Sequence, residues 1–133
     1  MTAEIETKMT VKNLCEQYLA ALNAGDLETV RALFTADGII VSSLYGVCPA
    51  YNFYAMLFAD TERSRTELLN IFEGPADRIA LHFNYVWTLA NGKTATFECV
   101  DICELSDDRQ KFRKITIIYD TAHLRDDFGL LHA

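Results

Sequence analysis

Proline and glycine are scarce in this chain of 133 residues, two and six in number, which leaves no material for a Pro/Gly-rich linker or a low-complexity segment. No apolar run approaches the roughly 20 residues that a bilayer-spanning helix needs. Basic residues are also in short supply: twelve Lys and Arg stand against nineteen Asp and Glu, a formal net charge of -7. A surface of that sign repels phosphate backbones and anionic lipid, so nucleic acid and membrane are excluded as expected partners. The opening Met1–Thr10 is polar and lacks the basic-then-apolar layout of a secretory signal. The expectation is a soluble, cytoplasmic protein. The four cysteines form no CxxC pair and the three histidines add no metal-ligand spacing, so neither a metal nor another cofactor is expected. Cys99 and Cys103 lie four apart in an expected strand, about 13 Å end to end, too far for a disulfide. Free thiols in a reducing compartment follow.

What the chain does have is ordinary globular material: half its residues are apolar and 23% are charged. Its length suits one domain, residues 1–133, able to remove roughly two-thirds of its unfolded surface from water. Val11, Leu14, Cys15, Tyr18, Leu19 and Leu22 fall on one helical stripe, which Gly25 stops. Asp26 can cap a second helix carrying Leu27, Val30, Leu33 and Phe34. Gly38–Ser43 reads as a short strand followed by a loop through Gly46 and Pro49. Tyr51, Tyr54, Ala55 and Phe58 fit one face of a third helix. The period then changes to strands over about Thr66–Glu73, Arg78–Ala90, Lys93–Leu105 and Phe112–Leu124, broken by Gly74-Pro75, Asn91-Gly92 and Ser106–Arg109. Helices first and a long antiparallel sheet afterwards predict an α+β domain whose twisted sheet curls around a helix and leaves a pocket at one end. The acidic Arg125–Asp127 stretch reads as a solvated end.

Asn91-Gly92 suggests a two-residue hairpin turn, which pairs Ala90 with Lys93 and so places His82 opposite Asp101 on one side of the sheet. That register puts Asn84, Cys99, Asp101 and Cys103 on one face, with Leu81, Phe83, Tyr85, Trp87 and Leu89 on the other. Apolar alternation alone would instead put Trp87 in the core. Both faces are apolar enough to need cover, and three helices cover only one, so a homodimer through the sheet is expected. Asp101 lies between Cys99 and Cys103; a carboxyl there loses hydration, which raises its pKa, while a protonated His82 would lower it. Such acids cluster at active sites, although structural pairs produce them too.

Four stretches, Tyr18-Leu-Ala-Ala-Leu-Asn-Ala-Gly-Asp26, Phe34-Thr-Ala-Asp-Gly38, Phe97-Glu-Cys-Val-Asp101 and Ile115-Thr-Ile-Ile-Tyr-Asp120, carry a further signal. With them the chain resembles the nuclear transport factor 2-like superfamily, in its ketosteroid isomerase and SnoaL-like polyketide cyclase branches, from about Val11 to Arg125. The resemblance implies a cone-shaped α+β roll, a curled sheet around a hydrophobic pocket, and frequent dimerisation. It matches Tyr18 and Asp101 to an oxyanion-binding tyrosine and a protonated aspartic acid, and Tyr119 to a pocket aromatic. Where the isomerases carry their base aspartate this chain has Ser42-Ser43, and serine at its ordinary pKa cannot abstract a proton from carbon. The expected catalytic set is therefore His82 as base, Asp101 as its partner or the acid, and Tyr18 as donor to an enolate oxygen. Tyr119, Ser43, Asn84 and Tyr54 are expected to contact a small hydrophobic substrate. The expected activity is cofactor-free acid–base chemistry of isomerase, cyclase or dehydratase type, the alternative being a non-catalytic binding or dimerisation module of the same fold.

Overall fold

A computed structural model of the chain describes residues 9–132, so the reading of residues 1–8 as polar and leaderless lies outside the described residues. Helix α1 (Val11–Ala24) starts where Thr10 accepts the Asn13 N–H and ends where Gly25 adopts a left-handed φ of 64°. Glycine suits that position because it has no Cβ to clash. Asp26 accepts the Thr29 N–H and caps α2 (Leu27–Ala32). The chain continues through β1 (Phe34–Ser42), β2 (Gly46–Pro49), α3 (Ala50–Ala59), β3 (Thr61–Glu73), β4 (Arg78–Leu89), β5 (Thr94–Leu105), β6 (Phe112–Ile118) and α4 (Arg125–Leu131). This is the expected α+β class, and no described helix is long and apolar enough to cross a membrane.

The strands form one curved, unclosed sheet in the order β2-β1-β6-β5-β4-β3. Every neighbouring pair is antiparallel except β1 and β6, which run parallel. Two register shifts bend β3, near Thr61–Arg63 and Leu68–Asn70, since an extra residue on one strand adds local twist. The concave face of β4 and β5 supplies Leu81, Phe83, Trp87, Cys99 and Cys103 to a core shared with Leu14 and Tyr18 of α1 and Phe53 and Tyr54 of α3.

The hairpin register differs from the expected one by a single residue. Leu89 donates its N–H to the Lys93 carbonyl, and its own carbonyl accepts the Gly92 N–H. Gly92 alone of the Asn-Gly pair has a positive φ, 86°. The loop is thus three residues, Ala90–Gly92, a type I turn closed by a left-handed glycine, where a two-residue type I′ turn would need Asn91 left-handed as well. Trp87 accordingly faces Ala95, Leu81 faces Asp101, and His82 faces Val100. Because side chains alternate with period two, the slip moves a whole strand's side chains to the other face relative to its neighbour. Trp87 joins Asp101 inside, and His82 and Asn84 turn outside.

Other elements also depart from expectation: β1 starts at Phe34, expected on the second helix, and β3 starts at Thr61 rather than at the expected Thr66. Gly46–Pro49, read as loop, forms β2 against β1. The last strand stops at Ile118, and beyond it the Asp120 carboxylate accepts the Ala122 N–H in a turn. Arg125 and Asp126 are solvent-exposed as expected, but the stretch opens a helix, α4, whose Phe128 and Leu131 pack on the core.

Candidate functional site

Alternation along β5 sends every second side chain inward, and one of them is a carboxylic acid. Asp101 is 1% exposed. The Cys99 thiol donates to its Oδ1 at 3.3 Å, and the Cys103 thiol donates to its backbone carbonyl at 3.6 Å. Burial pushes the Asp101 carboxyl up to about 7, with the Cys99 hydrogen bond pulling in the other direction. Neighbouring thiols are in turn held neutral: burial, then the Asp101 charge, takes Cys15 to about 12.

Asp101 faces a cavity closed by α1, α3 and the curled sheet, whose wall includes Tyr18, Ser42, Tyr45, Tyr85, Trp87, Phe97, Cys99 and Tyr119. Its volume is about 40 Å³, space for roughly three waters. The wall is mainly aromatic and aliphatic. Its polar groups are hydroxyls, one thiol and one carboxyl, with no imidazole or ammonium group among the lining residues.

Tyr18 reaches this wall from the buried stripe of α1, and its hydroxyl shares a 2.6 Å hydrogen bond with that of Tyr54 on α3. Burial drives both phenols well above their ordinary value; for Tyr18 the neighbouring Tyr54 and the Asp101 charge add to it. Both remain protonated donors. Tyr85 shares a 2.7 Å hydrogen bond with Ser64. Tyr119 stacks on Phe97 with ring centres 4.3 Å apart. Ser42 is occupied as a turn acceptor, taking the backbone N–H groups of Leu44 and Tyr45 at 3.1 Å each.

Of the residues expected to form the site, Tyr18, Asp101 and Tyr119 converge on the cavity, and Tyr54 supports Tyr18 from behind. The rest do not. His82 lies on the convex face, where the Asn70 amide donates to Nδ1 at 3.2 Å. Its Nε2 faces the Glu98 carboxylate. The expected His82–Asp101 pair is not formed, because the one-residue change in register separates them by the thickness of the sheet. Asn84 sits on the same convex face and donates to Glu67 at 3.1 Å. Ser43 is exposed in the turn after β1, and Ser42 meets the cavity in its place. Trp87, Tyr45 and Tyr85 are wall residues outside the expected set. The alternation of large apolar residues along β4 signals Trp87 and Tyr85, whereas Tyr45 lies in a turn whose course no local pattern records.

The profile of the SnoaL-like domain family matches residues 15–111. Among solved structures, one from Catenulispora acidiphila with a ketosteroid isomerase-like fold, in complex with trimethylamine, superposes with a TM-score of 0.75 at 13% identity, covering 90% of this chain and 95% of that one. TerC, crystallised with polyporic acid, gives 0.72 at 19% identity over 87% and 95%. A polyketide-cyclase candidate from Pseudomonas putida gives 0.67 at 23% identity over 84% and 92%. At these identities the likeness is one of fold. No curated protein matches the sequence.

Proposed function

The chain belongs to the SnoaL-like domain family, and from that premise we propose that its cavity moves a proton on a small apolar carbonyl or hydroxy compound, with Asp101 as the proton-carrying group. The observation that carries this reading is Asp101 itself: a carboxyl 1% exposed, raised to about 7, on the wall of an aromatic cavity. An acid–base group works best with its pKa near the working pH, where both of its forms are populated. As carboxylate it can take a proton from a carbon beside a carbonyl; as acid it returns the proton elsewhere on the same substrate. Tyr18 donates to the enolate oxygen that appears in between, and Tyr54 fixes the direction of that donor. Without His82 in the cavity, one group performs both proton steps, which favours isomerisation over reactions that need a separate acid and base. TerC, which shares the fold, was crystallised with polyporic acid, in keeping with a small organic ligand in such a cavity.

The test is proton exchange. Cyclic enones and aryl ketones incubated with the protein in D2O should lose α-proton NMR signal faster than in buffer, and Asp101→Asn should abolish the difference. Equal exchange with and without protein across the panel, or an unaffected Asp101→Asn, would sink the reading.

One observation favours the alternative, a non-catalytic binding or dimerisation module: the 40 Å³ of open space is far below the roughly 300 Å³ at which ligand sites begin. Under the catalytic reading the cavity must enlarge to admit a substrate. We further propose that the convex face joins a second copy of the chain, since Phe72 and Ile118 stand there 57% and 52% exposed.

A further inference from the structure

The wall that must yield is identifiable. Phe128 of α4 packs on the rings of Trp87 and Tyr45, with centroids 6.2 and 5.1 Å away, and both of those rings line the cavity. His132, just beyond α4, lies against Phe128 at 4.7 Å. Its Nε2 contacts Asp60 Oδ2 at 2.9 Å, the same oxygen that accepts the Tyr45 hydroxyl at 2.6 Å. The backbone carbonyl of Asp60 accepts the Ala90 N–H, so a single residue ties together the end of α3, the β4–β5 hairpin, a wall tyrosine and the C-terminal segment. A second tie runs from the Asn91 amide to the Asp127 carbonyl at 3.1 Å.

The helix so tied is weak in isolation. It has seven residues, no side-chain cap and a glycine at position 129, and helices shorter than about 12 residues are marginal without tertiary contacts. Its place is set by Phe128, Leu131 and the two anchors, and such segments open locally at far lower cost than the whole fold. The lining itself comes from the strands, from α1 and α3, and from the Tyr45 turn; of these, the strands and the two helices are tied into the core.

We infer that α4 is a movable backing behind the Trp87 and Tyr45 part of the cavity wall, with Phe128 the residue that limits how far those two rings can part, and hence ligand size, and the His132–Asp60–Tyr45 cluster the anchor that positions it. Release of α4 frees Trp87 and Tyr45 on their outer side and lets the aromatic wall part for a planar ligand. A ring system that fills the space vacated by Phe128 is accepted only when α4 has moved. This rests on the cavity being the ligand site but not on any chemistry at Asp101.

The chain has one tryptophan, Trp87, 2% exposed and in contact with Phe128, so the wall reports on itself. Acrylamide quenching of Trp87 fluorescence should be weak in the unaltered protein and several-fold stronger in Phe128→Ala and His132→Ala, with far-UV circular dichroism unchanged. Phenol and 2-naphthol, titrated against the same proteins, measure size selection: Phe128→Ala should shift the affinity ratio at least tenfold towards 2-naphthol. Asp101→Asn should leave quenching as it is, which separates failure of the wall from failure of the proton chemistry. Unchanged quenching in both variants overturns the movable backing. An unchanged ratio, or no 2-naphthol binding by Phe128→Ala, overturns the role of Phe128 in size selection.

Discussion

Asp101 is, among the described residues, the one carboxyl on the cavity wall, and its environment can be tested through folding alone. Its folded pKa of about 7 lies above the ordinary value of 3.8, so between those values the folded chain holds a proton that the unfolded chain has released. Stability contributed in this way is fully present below the unfolded pKa and is lost as pH rises through the folded one. Asp101→Asn removes the titration. The stability difference between the variant and the parent should therefore shift in the variant's favour by roughly 3–4 kcal/mol between about pH 4 and about pH 8, following from about 1.4 kcal/mol for each pH unit. Urea denaturation at several pH values measures it, and a pH-independent difference would place the carboxyl in water. Tyr18 is tested through rate. If its hydroxyl donates to an enolate oxygen, Tyr18→Phe should lower kcat for α-proton exchange by about 10²-fold or more with little change in KM. Tyr54→Phe, which only loosens the direction of that donor, should cost less.

Among the elements, what was legible in the sequence is what is decided locally. Thr10, Gly25 and Asp26 act on backbone groups within three or four residues of themselves, and the helices they bound start where the sequence places them, although the second ends at Ala32 and leaves Phe34 to β1. Tyr18 and Asp101 were readable because a helical stripe and a strand alternation each fix a face. The β4–β5 register was not: Asn-Gly is compatible with two loop lengths, and the choice between them rests on packing along twelve-residue strands rather than on the turn. That choice removed His82 and Asn84 from the site and added Trp87. Helix α4 was unreadable for a related reason, since its anchors Asp60 and Asn91 lie far away in sequence. The turn itself makes a prediction. A Cβ at Gly92 would meet nothing within 4 Å, but the backbone φ is +86°. Gly92→Ala should thus cost about 1–2 kcal/mol from backbone conformation alone. Gly74→Ala, where a Cβ makes ordinary contact with the Arg78 carbonyl at 3.6 Å and no positive φ is required, should cost much less in the same denaturation experiment.

For the molecule as a whole, the sheet divides the labour between its two faces. The concave face holds the core and the cavity, while the convex face carries a belt that water covers poorly. Asn70, His82, Val100 and Ile118 run as one row across four strands, and Phe72, Ala80, Ile102 and Thr116 run as the next. The second row is mostly apolar, and the first ends in the exposed Ile118, so together they form a patch of the kind that marks interaction surfaces. A two-fold pairing of such sheets would bury the belt against itself, and His82 already engages Asn70 and Glu98 within each copy. The pairing would therefore be largely apolar at its centre, with polar partners already satisfied, as a durable dimer requires. Placing a charge in the belt is the decisive test: Ile118→Lys, at a position 52% exposed in the single chain, should leave the fold intact. It should convert a dimer to a monomer in sedimentation equilibrium, because two buried, unpaired ammonium groups would face each other across the axis. A parent protein that sediments as a monomer at tens of micromolar, or an Ile118→Lys variant that remains dimeric, would move the contact off this face. The cavity lies on the concave side, walled by side chains such as Trp87, Cys99 and Asp101 that point away from the belt, so loss of the dimer should leave Trp87 quenching and Asp101 titration unchanged.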